Sequence, residues 1–380
     1  MTGKIWTWIA VAIVVIGGGW WLLSGSSAPK AEAGPIKVGF IGPLTGDAAS
    51  YGIPFQNAVK MATDEINASG GINGRQLQII YEDGKCGTAA ASAAQKLISI
   101  DHVQIIIGGF CSGESLAAEP ITTANKVILF SPGSSSPKLT GISKYFDRNY
   151  PSDSLPAIKI AQLMTQKGLK NVGVITETSD AAVALRQAFV DEFQKLGGNL
   201  IADESFTTGT TDFRSALTKI KSANPDAVYV IGQTPASDEL IIKQMDDIGL
   251  KTQLFGGFEL FGGEKMLQDI PNLLEGAIYM EPSLDETATT TKSFIDKYTA
   301  QYKTFGGLPT IYAATSYDAV YIIKDMIEQY GMNTDVIAQG LRQLKDWHGA
   351  EGTLTIDQNG DPQFQYAVRV IHNGKVENLK

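Results

Sequence analysis

Beyond residue 36, apolar runs of strand length alternate with stretches of helical periodicity almost without interruption, the pattern of a parallel sheet covered by helices. The first strands are predicted at Ile36–Ile41, Leu77–Glu82, Val103–Ile107 and Val127–Phe130. Helices are predicted between them at Pro54–Asn67, Ala89–Asp101 and Glu114–Asn125, the last opened by Ser112-Gly113-Glu114-Ser115, which can cap it. A Pro- and Ser-rich stretch, Ser131–Pro156, breaks the pattern, and the alternation then restarts. It runs through helix Leu155–Lys167, strand Asn171–Thr176, helix Ala181–Leu196, strand Leu200–Ser205, helix Asp212–Lys221, strand Ala227–Ile231, helix Ser237–Ile248 and strand Gln253–Gly256. A second break near Ala277–Pro282 precedes helices at about Thr289–Phe305, Tyr312–Tyr330 and Thr334–Leu344. The tail reads as two strands around the turn Gln358-Asn359-Gly360-Asp361.

The predicted fold is therefore α/β, with two doubly wound parallel-sheet lobes. A chain of 380 residues exceeds what one core normally supports, which also argues for two globular units. The long helices after the second break are assigned back to the first lobe, and the terminal strands to the second. The boundaries are residues 36–150 with 283–347 for lobe one, and 151–282 with 348–380 for lobe two.

The N-terminus departs from this pattern. Ile5 to Leu23 carries no charge, follows the single Lys4 and ends near Trp20 and Trp21. Roughly 20 apolar residues span a bilayer as a helix, whereas a secretory apolar region usually has about 7 to 15. Residues 1–23 are thus expected to be a retained signal-anchor helix, and residues 24–35, rich in Ser, Ala, Pro and Gly, a flexible tether. The pair Ala31 and Ala33 before Gly34 leaves cleavage open as the alternative. Lys4 on the short side puts the N-terminus inside, so the globular part is expected in the periplasm or on the cell surface. Only two cysteines exist, Cys86 and Cys111; in an oxidising compartment, near strand ends of one lobe, they are expected to form a disulfide.

Charge and motifs narrow the function. A net charge of −9 disfavours nucleic acid as a partner, since phosphate binding needs clustered Lys and Arg. The three histidines, His102, His348 and His372, are scattered without metal-ligand spacing, and no nucleophile elbow, zinc helix or P-loop motif appears. Gly70, Gly71 and Gly74 sit between a helix and a strand, the wrong context for a dinucleotide. Asp357, Asn359 and Asp361 lack the terminal glutamate of a calcium loop and read as a turn. The expectation is a binding protein with no catalytic residue, metal or cofactor.

The ordered set GPLTG, SYG, INASGGINGRQL, DGKC, GGFCSG and SPGSSSPKLT resembles the type I periplasmic binding proteins, specifically the branched-chain amino acid (Leu/Ile/Val) receptors of ABC transporters. The resemblance covers the chain from about Ile36 onward. It implies two lobes joined by three crossovers, matching breaks near Arg148–Pro151, Met280–Leu284 and Asp346–Glu351, that close over a ligand. It implies that Ser112 bonds the ligand carboxylate, that the Gly133 carbonyl bonds its ammonium, and that Ser135, with Ser134 in the same loop, bonds both. Tyr51 would pack on the ligand side chain, and Glu259 would balance the ammonium, unless the match slips onto Phe258. Ala181 and Gln233 stand where relatives have tyrosines, which enlarges and polarises the pocket; Tyr312 lies near a cleft-wall position. The implied ligand is an amino acid, with a bulkier or more polar one, an aliphatic amide or a small carboxylate kept open. The implied partner is an ABC permease; the alternative is a tethered sensor acting on a signalling protein.

Overall fold

The structure is a computed structural model that describes residues 34–46, 48–306 and 308–379, without the side chains of Tyr51, Glu259 and Leu260. The expected membrane helix, and the tether up to residue 33, lie outside the described residues. Among those described, no helix is long and apolar enough to cross a membrane.

In chain order the elements are β1 (Ile36–Gly42), α1 (Ala49–Ala68), β2 (Leu77–Asp83), α2 (Ala89–Ser99), β3 (Ile105–Gly108), α3 (Ser112–Ala124), β4 (Ile128–Ser131) and β5 (Phe146–Arg148). There follow α4 (Ser154–Gln166), β6 (Asn171–Glu177), α5 (Asp180–Lys195), β7 (Asn199–Phe206), α6 (Arg214–Ser222), β8 (Ala227–Ile231), α7 (Pro235–Asp247), β9 (Gln253–Gly256), α8 (Glu264–Asp269) and β10 (Ile278–Pro282). The last are α9 (Thr289–Tyr302), α10 (Thr310–Tyr330), α11 (Thr334–Leu341), β11 (Trp347–Gly349), β12 (Gly352–Leu354), β13 (Tyr366–His372) and β14 (Lys375–Asn378).

They build a five-stranded sheet, β2-β1-β3-β4-β5, and a seven-stranded sheet, β14-β13-β10-β9-β8-β6-β7. The first is parallel throughout, and the second is parallel except where β13 and β14 join it. Strands such as β3 (IIIG) and β8 (AVYVI) are buried along their whole length, which is why they read as unbroken apolar runs and not as alternation. Gly108 is required where it stands: its φ is +136°, and a Cβ there would lie 2.1 Å from the Ile41 carbonyl oxygen of the paired strand.

Three expectations are corrected. The two breaks in the pattern contain strands: β5 has three residues and β10 five, too short to announce themselves against turn-rich flanks. The tail hairpin is β13–β14, turning at Asn373 and Gly374, both left-handed with φ of 51° and 70°. The turn at Gln358–Asp361 is closed by the Asp357 carboxylate, which accepts the N–H groups of Asn359 (2.8 Å) and Asp361 (3.0 Å), and is flanked only by the single bridge Ile356–Pro362. The first helix starts at Ala49, with Pro54 inside it.

The chain leaves the first sheet after β5, builds the second from β6 to β10, returns with α10 packed along α1, and ends in β13 and β14. Buried polar groups tie two of these passages to α10. Asn149 donates to the Thr315 carbonyl and to Glu351 Oε1, both at 2.9 Å, while Asp318 accepts the N–H groups of Ala350 (2.9 Å) and Glu351 (2.6 Å). Burial raises both the Asp318 and Glu351 carboxyls above the usual range, and their mutual repulsion adds to the shift at Glu351.

Each sheet has one point where the chain reverses its direction of growth. In the first, β1 lies between β2 and β3; in the second, β6 lies between β7 and β8. Loops at the carboxyl ends of such central strands diverge and leave a crevice, the usual ligand position in open α/β sheets.

Candidate functional site

The loops from both reversal points wall one cavity of about 730 Å³. The first sheet contributes Thr45 and Gly46 after β1, Lys85 to Gly87 after β2, and Cys111 and Gly113 after β3. The second contributes Glu177 to Asp180 after β6, Thr208 after β7, and Gln233 to Ala236 after β8. Helix α5 packs against α3 and the short turn Pro137–Leu139, bringing Asp180 Oδ2 to 3.0 Å from where a side chain at Gly113 would place its Cβ. Glycine at 113 therefore permits the close approach of the two halves.

Two devices fix the wall from the first sheet. Cys86 and Cys111 form the expected disulfide, with Cα atoms 5.1 Å apart, joining the β2–α2 and β3–α3 loops. The 25-residue separation corresponds to about 3.5 kcal/mol in the chain-entropy picture. Glu114, in the first turn of α3, spans the same two loops: its carboxylate accepts the N–H groups of Cys86 (2.9 Å), Phe110 (3.0 Å) and Cys111 (3.1 Å). Burial pushes its carboxyl up to about 7 against the opposing pull of these three donors.

Behind this wall lies the loop Pro132–Ser136, buried throughout. The Ser131 and Ser134 hydroxyls donate to the Gly109 carbonyl at 2.6 and 2.8 Å, and Ser115 Oγ lies 2.8 Å from Ser134 Oγ. Arg148, wholly buried, donates to the carbonyls of Ser134 (2.9 Å) and Ser136 (3.1 Å). Thr315 donates to the Pro132 carbonyl (2.8 Å), and the Asp153 N–H to that of Ser135 (2.8 Å). One carbonyl of the loop, that of Gly133, has no donor among the described residues, and the Ser135 hydroxyl likewise has no partner there. A buried carbonyl left out of such a network is rare enough to need an explanation. Ser112 Oγ accepts the Ser136 N–H at 3.0 Å, which leaves its own proton free to donate. The N–H groups of Ser112 and Gly113 begin α3 and have no acceptor among the described residues.

Ser112, Gly133 and Ser135 thus stand buried behind Cys111 and Gly113, not themselves among the residues that line the cavity, whereas Gln233 lines its opposite wall; a Cβ at Gly133 would lie 2.9 Å from the Phe110 carbonyl oxygen. Ser134 is turned into the supporting network. Tyr312 stands apart from the lining, buried and stacked on Tyr150 with ring centres 5.1 Å apart, and tilted against Phe55 at 5.5 Å. Ala181 is buried, and Phe258, the alternative to Glu259, packs in the core. Tyr51 lies in α1 and Glu259 in the turn Glu259–Gly262, but their side chains are outside the described residues. Sequence reading missed Glu177, Asp180, Thr208 and Thr234. The signal available was TETSD, an acid and hydroxyls placed directly at a strand end, like the loops singled out in the first half.

Two α/β sheets whose reversal points open onto one crevice define a solute receptor of the type I periplasmic binding protein fold. The chain belongs to the periplasmic binding protein family, whose model matches residues 35–375; this is a family of substrate-binding receptors, not of enzymes. It is 26% identical over 355 residues to the leucine-, isoleucine-, valine-, threonine- and alanine-binding protein of Pseudomonas aeruginosa, covering 92% of this chain and 93% of that one. It is 27% identical to the Leu/Ile/Val-binding protein of Escherichia coli, covering 92% and 95%. Among solved structures it superposes on the leucine-binding protein LivK of Thermotoga maritima with a TM-score of 0.81 at 27% identity, covering 91% and 98%. The isoleucine complex of LivJ from Streptococcus pneumoniae gives 0.79 at 30% identity, covering 90% and 98%. The resemblance read from the ordered motifs is therefore that of the relatives found.

Proposed function

We propose that this chain is the extracytoplasmic receptor of an ABC transporter, holding an amino acid in the cavity where the two reversal points meet and presenting it to a membrane permease. The observation that carries this reading is the accounting of the loop Pro132–Ser136: every carbonyl except that of Gly133 is committed, beside a helix N-terminus with open N–H groups. One acceptor for an ammonium and several donors for a carboxylate, a few residues apart, match the two charged ends of a zwitterion.

In this reading Ser112, with the N–H groups at the start of α3, takes the carboxylate, while the Gly133 carbonyl and Ser135 take the ammonium, with Glu259 completing its charge balance. Tyr51 packs on the ligand's side chain, Gln233 reaches its far end, and Ser134 and Tyr312 support the wall from behind. Residues 36–150 and 283–347 form one lobe and residues 151–282 and 348–380 the other, closing about three crossovers because the ligand binds the shut form more tightly. Residues 1–23 tether the receptor to the membrane. Titration calorimetry of the purified full-length chain against amino acids, amides and small carboxylates is expected to find at least one ligand with a Kd of order micromolar. Silence across the whole panel would contradict the reading.

A further inference from the structure

We propose that the second-sheet end of the cavity is built for an N–H-donating group: the ligand's side chain ends in a primary carboxamide or a cationic nitrogen, not in a branched alkyl group. This rests on the receptor reading above and narrows its ligand.

The inference starts from Glu177, which ends β6 and is 1% exposed. Its Oε2 accepts the N–H groups of Gln233 (2.7 Å) and Thr234 (3.0 Å), and its Oε1 accepts the hydroxyls of Thr234 (3.0 Å) and Thr208. Four donors saturate this carboxylate, so it orders the β7–α6 and β8–α7 loops and is not itself left seeking a counter-ion.

The direction of those bonds sets what the cavity offers. A threonine hydroxyl has one proton and two lone pairs. With both protons committed to Glu177, the Thr208 and Thr234 oxygens, which line the cavity, present only lone pairs to it. The Gln233 side-chain amide lines the same wall, and the Asp180 carboxylate reaches from it toward Gly113, neither with a partner among the described residues. The other charges of this wall are spoken for: Glu239 pairs with Lys243, and Lys265 with Asp269. Among the described residues the remaining lining cation, Lys85, belongs to the opposite wall, after β2.

The Thr208 and Thr234 end of the wall therefore offers acceptors, while the donors of this wall are the Thr178 and Ser179 hydroxyls and the Gln233 amide. An alkyl group placed there would strip water from two fixed hydroxyl oxygens and return no donor, whereas an amide NH₂, an ammonium or a guanidinium would satisfy them.

Near-isosteric pairs test this on the full-length chain by calorimetry: asparagine against leucine for the carboxamide arm, lysine against norleucine for the cationic arm. At least one donor-bearing member is expected to bind tenfold or more tightly than its alkyl partner, and the arm that wins identifies the group. Thr208→Val, checked by its melting curve, is expected to shrink that ratio at least threefold. Binding in the panel with neither donor-bearing member tenfold tighter than its alkyl partner would overturn this inference while leaving the receptor reading intact. A ratio unmoved in a folded Thr208→Val would overturn the role given to the hydroxyls. No heat in any arm or across the wider panel would sink both readings.

Discussion

Replacing Arg148 with methionine is expected to destabilise the protein by about 3 to 5 kcal/mol and to degrade ligand binding beyond that loss. The guanidinium is fully buried and each of its arms is used: Nε donates to Asp361 Oδ1 at 2.7 Å, Nη1 to the Ser134 and Ser136 carbonyls, and Nη2 to Thr140 Oγ1 at 3.1 Å. Methionine fills much of the volume but leaves the Asp361 carboxylate short of its cation and the buried Ser134 carbonyl without a donor, while the Ser136 carbonyl keeps only the Leu139 N–H. Lysine retains the charge yet satisfies only part of the fork. The affected carbonyls flank Gly133 and Ser135, so the loop loses its shape as well as its anchor. Urea unfolding of the variant measures the first effect; a loss under about 1 kcal/mol would show that the network is not held by this residue.

Ser112→Ala is expected to weaken ligand binding by about 1.5 to 3 kcal/mol, roughly ten- to 150-fold in Kd, and to lower the melting temperature as well. The hydroxyl accepts the N–H of the wholly buried Ser136, so its removal also leaves that donor unpaired, at a folding cost of about 1 to 3 kcal/mol. Its own proton points at no protein acceptor among the described residues, and a charge-assisted bond to a carboxylate accounts for it. Calorimetry with the tightest ligand checks this. Unchanged affinity would reduce Ser112 to a helix-start residue that merely receives the loop.

Much of the architecture was legible because parallel sheets advertise themselves. Buried strands such as Ile105–Gly108 and Ala227–Ile231 are unbroken apolar runs, and the helices between them carry the complementary periodicity. What escaped was short or held by tertiary contacts. β5 exists because Leu129 and Phe130 pair with Phe146 and Asp147, not because three residues carry a pattern. The tail register was misread because two Asn/Asp-Gly turns compete, and only the second continues into a ladder.

The site divides in the same way. Ser112, Gly133 and Ser135 stand immediately after strands and were readable from position. Glu177 was not, since its role depends on donors about 30 and 56 residues further along the chain, which a linear pattern cannot connect. Ser134 and Tyr312 look like their neighbours in sequence, but Ser134 faces the Gly109 carbonyl and Tyr312 the Tyr150 ring.

The most direct measurement is a crystal structure of the chain with the tightest ligand from the calorimetric panel. Density for that molecule is expected between Cys111–Gly113 on one side and Gln233–Thr234 on the other, with a carboxylate at Ser112 and an ammonium at the Gly133 carbonyl. The ligand seated instead in the adjoining 850 Å³ recess beside Tyr279, Glu281, Lys303 and Arg369, with the Gly133 carbonyl untouched, would contradict the assignment.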